Sequence, residues 1–161
     1  MDRRYIQVYE NCLEPDFCKS LIDMFESNSD LYDTVKKSAY GKDTYFNQIH
    51  ITEQAKWRPE WQPYHDKLVE VGTAIVNDYV NILPSVVHPE QYKNTWEGFR
   101  IKRYMPGGYE GFGLHGDATH ESTISRWLAF FWYLNDVEEG GTTTFLYSEE
   151  ERLRKFKTNT E

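Results

Sequence analysis

Phe99-Arg-Ile-Lys-Arg-Tyr-Met-Pro-Gly-Gly-Tyr-Glu-Gly-Phe-Gly-Leu-His-Gly-Asp117 is the stretch on which the fold turns. Phe99 to Tyr104 alternates apolar and polar side chains, which predicts a strand. Pro106-Gly-Gly108 is a turn, and Phe112 to Asp117 can run extended. Downstream, Trp127-Leu-Ala-Phe-Phe-Trp-Tyr-Leu134 is an aromatic-rich apolar run closed by Asn135-Asp136, and it predicts a buried strand. Gly140-Gly141 is a second turn, and Thr142 to Tyr147 is β-prone. Short strands divided by turns predict an antiparallel sandwich or jelly roll for this half of the chain.

The first half reads differently. Tyr5 to Tyr9 alternates and predicts a short strand. Leu13-Glu-Pro-Asp-Phe-Cys-Lys-Ser-Leu-Ile-Asp-Met-Phe25 predicts a helix, with Pro15 and acidic residues in its first turn and Phe17, Leu21, Ile22 and Phe25 on one stripe. Ser27 to Asp30 ends it. Tyr40 to Thr44 reads as a loop and Tyr45 to Ile51 as a strand. From Pro59 to about Leu83 helical spacing returns through Trp61, Tyr64, Leu68, Val71, Ile75 and Tyr79, and Pro84 stops it. The expected class is α+β: a double-stranded β-helix (jelly roll) with N-terminal packing helices. One domain is expected over 1–161, with 1–94 a helix-rich support region and 95–161 the jelly-roll core.

Composition bounds the function. A net charge of -8 argues against a nucleic-acid partner, because phosphate binding rests on clustered Lys and Arg. The one basic stretch, Arg152 to Lys157, adjoins Glu149-Glu-Glu151 and reads as a solvated segment. No window approaches the roughly 20 apolar residues of a membrane span. No apolar run follows the N-terminal Met-Asp-Arg-Arg-Tyr, so no secretory signal is expected. Cys12 and Cys18 form no CxxC pair, and two scarce thiols fit a reducing cytoplasm. A cytoplasmic protein is expected.

On an extended segment, residues two apart point the same way, so His115 and Asp117 present an imidazole and a carboxylate side by side. These are two of the three ligands of the 2-His-1-carboxylate facial triad of non-haem Fe(II) oxygenases. As a bare triplet this is a common match. Its neighbours make it specific.

Tyr104-x-Pro-Gly-Gly108, His115-x-Asp117, Arg126 and Tyr133-Leu-Asn-Asp-Val-Glu-Glu-Gly-Gly-Thr-Thr143, in that order, resemble the 2-oxoglutarate- and Fe(II)-dependent dioxygenases of the prolyl 4-hydroxylase type. The opening Tyr9-x-x-x-Leu13-x-Pro15-x-x-Cys18-x-x-Leu21-Ile22 is similar to the first helix of that family. The resemblance covers most of the chain and is strongest from Phe99 to Phe145. It implies an oxidoreductase that decarboxylates 2-oxoglutarate to succinate while hydroxylating a peptidyl proline or another substrate, peptide or small molecule. Its cofactors would be Fe(II), 2-oxoglutarate as co-substrate, and ascorbate. By position, it implies that His115 and Asp117 bind iron, that Tyr104 and Thr143 hydrogen-bond 2-oxoglutarate, and that Arg126 lies near the substrate. Thr142 departs from the pattern, since Gly-Gly-Glu-Thr is usual there. The segment between Tyr104 and His115 is about two residues longer than in plant-type members.

The family also carries a second histidine on a late strand, then a basic residue for the distal carboxylate of 2-oxoglutarate. No histidine follows His120 in this sequence, so the third metal ligand and the last strands of the jelly roll are expected to lie beyond Glu161. Three readings stand: a truncated active enzyme, which is favoured, a piece completed by a partner chain, and a degenerate jelly roll. Weak iron binding and little turnover are expected of the 161 residues themselves. The alternative function is a non-catalytic jelly-roll binding module or inactive fragment. A cupin-type metal protein is disfavoured, because His-x-His is missing.

Overall fold

The computed structural model describes residues 5–39, 42–83, 96–107, 110–113 and 115–146. Helix α1 spans Pro15–Ser27, strand β1 Asp33–Ala39, strand β2 Lys42–His50, helix α2 Ile51–Trp57, helix α3 Gln62–Ile82 and strand β3 Arg100–Arg103. Short 3-10 turns at Ser29–Leu31 and Pro59–Trp61 link them. The class is mixed α+β, as expected. The sheet is antiparallel with order β1-β2-β3, so the latest strand docks on the far side of the first hairpin.

α1 forms where its stripe predicts. Pro15 occupies the first turn, and Leu21 and Phe25 bury completely. Its end is satisfied by Asn28, whose backbone N–H donates to the Phe25 carbonyl (3.2 Å) and whose side-chain amide donates to the Met24 carbonyl (2.8 Å). α3 also forms as expected, but its buried face runs through Leu68, Gly72, Val76 and Tyr79. Val71 and Ile75 are only half-buried. The face is rotated because Gly72 has no side chain: a Cβ there would lie 3.2 Å from Trp96 and 3.3 Å from Phe130.

The core collects Leu13, Leu21 and Phe25 from the N-terminal region, Ile49 and Ile101 from the sheet, Ile51, Trp61 and Leu68 from the α2–α3 region, and Phe99. Phe130, Trp132 and Leu134 pack against it from the other half of the chain. Trp61 is fully enclosed. β2 has two working faces. Ile49 enters the helical core, and Phe46 and Gln48 bury on the opposite side.

Several expectations need correction. Tyr5 to Tyr9 forms no strand, because nothing in the described residues pairs with it. The strand expected over 45–51 begins at Lys42 and ends at His50, and Ile51 starts α2 instead. β1 and α2 were not legible. β1 is mostly polar, and α2 has seven residues, too few for a period to show. Residues 127–134 form no ladder. They are nevertheless extended in character: Phe130, Trp132 and Leu134 are half-buried, while Phe131 and Tyr133 are 54% and 61% exposed. The period of two is therefore present without a ladder among the described residues. Residues 142–146 are irregular as well. Pro84, Gly108, Leu114, Tyr147 and the basic stretch 152–157 lie outside the described residues. Cys12 and Cys18 are free thiols. Among the described residues no helix is long and apolar enough to cross a membrane.

Candidate metal centre

β3 builds the foundation. Ile101 and Arg103 face the helices, where Ile101 joins the core and Arg103 pairs with Glu26 of α1 at 2.6 Å. Lys102 and Tyr104 therefore share the opposite face, beside Phe46 and Gln48 of β2. Pro106 and Gly107 then turn the chain, with Gly107 at φ 117°, a conformation favoured by a residue without Cβ. The Glu110 carboxylate accepts the Met105 N–H at 2.9 Å, and Glu110 bridges to Tyr45 of β2. This lays the following residues back over the second face of the sheet.

Phe112 lands there, with its ring 5.5 Å from Phe46. The His115 ring stands edge-on to Phe112 at 4.3 Å. The His115 Nδ1–H donates to the Gly113 carbonyl at 2.8 Å, which leaves Nε2 as the ring nitrogen turned toward Asp117. That Nε2 lies 3.4 Å from Oδ1 of Asp117. Both side chains are about half exposed. Gly116 between them is constrained, because a Cβ would come within 2.9 Å of the Thr119 methyl.

This arrangement fits a divalent metal. Two ligand atoms each about 2.1 Å from one ion, at right angles, lie about 3 Å apart. Metal-bound histidines also donate their second ring N–H to a backbone carbonyl or carboxylate, as His115 does to Gly113. Among the described residues no group of three or more His, Cys, Asp or Glu side chains could hold an ion, so the pair offers two candidate donors and not a full triad. His120 sits in a separate exposed turn, where its carbonyl accepts from the Thr123 N–H at 2.9 Å.

The remaining expected residues fall into two groups. Tyr104 belongs to the same face, its ring 5.2 Å from Phe46. Burial of the phenol pushes its pKa up to about 12, although the residue as a whole keeps 43% exposure. Arg126 approaches through the backbone: one terminal nitrogen reaches the Asp117 carbonyl at 3.4 Å, while Nε donates to both Glu97 oxygens at 2.7 Å. Thr143 is not tied to this cluster. Its hydroxyl lies 2.5 Å from that of Tyr133.

Sequence reasoning missed Glu97 and Lys102. Glu97 stands 29 residues from its partner, with no local signal. Lys102 reads as the polar half of an alternating strand, and only the returning loop places an aromatic ring beneath it. Its ammonium is 4.5 Å from the Phe112 centroid and 5.3 Å from that of Phe46. Compared with family models, with curated proteins and with solved structures, the chain matches none.

Proposed function

We propose that this chain carries part of the active site of an Fe(II)- and 2-oxoglutarate-dependent dioxygenase of the prolyl 4-hydroxylase type. The carrying observation is the His115 Nε2–Asp117 Oδ1 approach of 3.4 Å, with Nδ1 held by Gly113. When bound, the metal and the co-substrate supply oxidative decarboxylation of 2-oxoglutarate to succinate and CO₂, with the second oxygen atom of O₂ entering a C–H bond of the substrate.

The chain's own residues have distinct tasks in this reading. His115 and Asp117 would hold the ion as two of the three protein ligands of the triad. The Gly113 carbonyl keeps His115 in the tautomer that offers Nε2. Tyr104 stays a neutral phenol throughout the physiological range and donates a hydrogen bond to 2-oxoglutarate. Thr143 is a second donor to that acid, and Arg126 lies toward the substrate, a peptidyl proline or another side chain or small molecule. Ascorbate would keep the iron reduced. The jelly-roll reading is supported by the alternating burial of residues 130–134, which have the side-chain pattern of a core strand.

The test is metal binding by the 161-residue chain, read by calorimetry with Mn(II) as an air-stable stand-in. Weak binding that disappears in His115→Ala and in Asp117→Ala is expected, with at most slow succinate formation when Fe(II) and 2-oxoglutarate are added. Equal Mn(II) affinity in wild type and His115→Ala would overturn the reading.

One observation favours a second reading. Phe131, Tyr133 and Phe145 are all about half or more exposed, and such aromatic surface suits a non-catalytic binding module. That module would keep its partner affinity in His115→Ala.

A further inference from the structure

On the helical half of the chain, α2 passes into α3 through the 3-10 turn Pro59–Trp61. Two backbone bonds fix this corner: the Arg58 N–H donates to the Gln54 carbonyl at 2.8 Å, and the Arg58 carbonyl accepts the Trp61 N–H at 3.0 Å. Trp61 is fully enclosed, yet Trp57, the last residue of α2, is 78% exposed. Its indole N–H reaches the Glu53 carboxylate at 3.4 Å, and the Lys56 ammonium meets the same carboxylate at 2.7 Å. Trp57 is one wall of an open cavity of about 240 Å³, lined also by Ala55, Lys56, Arg58, Pro59 and Gln62.

The lining runs against the charge of the chain. It includes two cations and no acid, in a sequence with 26 acidic and 18 basic residues. Lys56 is paired with Glu53, whereas Arg58 is half-buried and makes no ion pair among the described residues. Size narrows the ligand. Small-molecule sites usually measure about 300–1,000 Å³, so this smaller cavity suits a single side chain of a larger partner. We infer that the corner docks an acidic peptide segment, with an aromatic side chain against the Trp57 indole and a neighbouring carboxylate on the Arg58 guanidinium. Offset or edge-on ring contacts serve the first, and the planar fork of a guanidinium serves the second. Trp and Arg are also among the side chains that most often carry binding energy at interfaces. The inference goes beyond the dioxygenase reading and stands apart from it, since neither His115 nor Asp117 lines the corner.

The test is an NMR titration of the full chain with three acetylated tripeptide amides: Glu-Phe-Glu, the neutral Gln-Phe-Gln, and Glu-Ala-Glu, which lacks the ring. The readout is the Trp57 indole N–H resonance, identified as the one missing in Trp57→Phe, and the other indole resonances report an intact fold. Glu-Phe-Glu should shift the Trp57 signal saturably. Gln-Phe-Gln and Glu-Ala-Glu should each bind about fivefold more weakly, the scale of one partly exposed ion pair or one ring contact. Arg58→Gln should lower Glu-Phe-Glu to the level of Gln-Phe-Gln, Arg58→Lys should keep much of the difference, and added salt should weaken only the acidic probes. No saturable shift of Trp57, or equal binding of the acidic and neutral ring-bearing peptides, overturns the inference. So does equally tight binding of phenylacetate, which would make the corner a site for a small aromatic acid.

Discussion

The guanidinium of Arg126 is clamped on the carboxylate of Glu97, with Nε 2.7 Å from both oxygens and a terminal nitrogen 2.5 Å from Oε2. The remaining terminal nitrogen reaches the carbonyl of Asp117. The bidentate geometry fixes the plane of the guanidinium and so restrains the loop that bears Asp117. The Arg126 side chain beside Glu97 holds that carboxyl below the usual carboxylate range, so the clamp is present at neutral pH and opens as the medium turns acidic.

Glu97→Gln should therefore weaken Mn(II) binding roughly tenfold, as loss of a supporting contact around a metal ligand commonly does, while the melting temperature barely moves. Calorimetry and a thermal melt on the same sample check this. Unchanged metal affinity would show that Asp117 is held by other contacts.

Thr143 and Tyr133 share a short hydroxyl–hydroxyl contact of 2.5 Å. If Thr143 serves 2-oxoglutarate, Thr143→Val should weaken binding of that acid by roughly tenfold, the scale of one hydrogen bond to a charged group. Tyr133→Phe should not weaken it, because it frees the threonine hydroxyl for the ligand. Equal loss in both variants, measured by titration with Mn(II) present, would place Thr143 in a purely structural pair.

Gly72 marks where the extended segment meets α3. Gly72→Ala would gain about 1 kcal/mol of helix propensity but press its methyl on Trp96 and Phe130, which are themselves packed edge to face at 5.4 Å. Overpacking of such a site costs about 1–3 kcal/mol, so a net loss of about 1 kcal/mol is expected. Gly72→Val should lose more, by denaturant unfolding. A stabilised Gly72→Ala would mean that Phe130 yields freely and that residues 127–134 are loosely seated.

His50 links sheet and helix. Burial lowers its pKa first, with the Arg100 cation adding to that, while Asp33 and Glu53 oppose and Lys102 contributes a small further lowering. A depressed value means that the unfolded chain takes up a proton more readily than the fold does. Stability is thus fully present above about pH 6.5, the unfolded value, and falls as pH drops below it. The melting temperature should decline over that range, and His50→Gln should flatten this part of the profile. A wild-type profile already flat there would show that His50 protonates as easily in the fold as out of it.

Much of the helical part was legible because its signal is local. Phe17, Leu21 and Phe25, or Leu68 and Tyr79, show their spacing whatever lies across from them. The strands were less legible. β3 showed its alternation, but β1 is polar enough to look like a loop until β2 pairs with it from Asp33↔Gln48 to Ala39↔Lys42. Residues 127–134 show the reverse case: the alternation is real, and Phe130, Trp132 and Leu134 turn toward the core, yet no ladder forms among the described residues.

The same division holds at the site, where the sequence by itself brought His115 and Asp117 together. His115 and Asp117 are two residues apart, and that short spacing brings Nε2 and Oδ1 to 3.4 Å although the segment is no strand and bends at Asp117. Tertiary structure alone decided what surrounds them. Phe46 reaches the site from β2, Lys102 and Tyr104 from β3, and Glu97 from the segment before it. Each of those contacts closes a loop of ten residues or more, and which loops close is settled by register and packing rather than by any pattern along the chain.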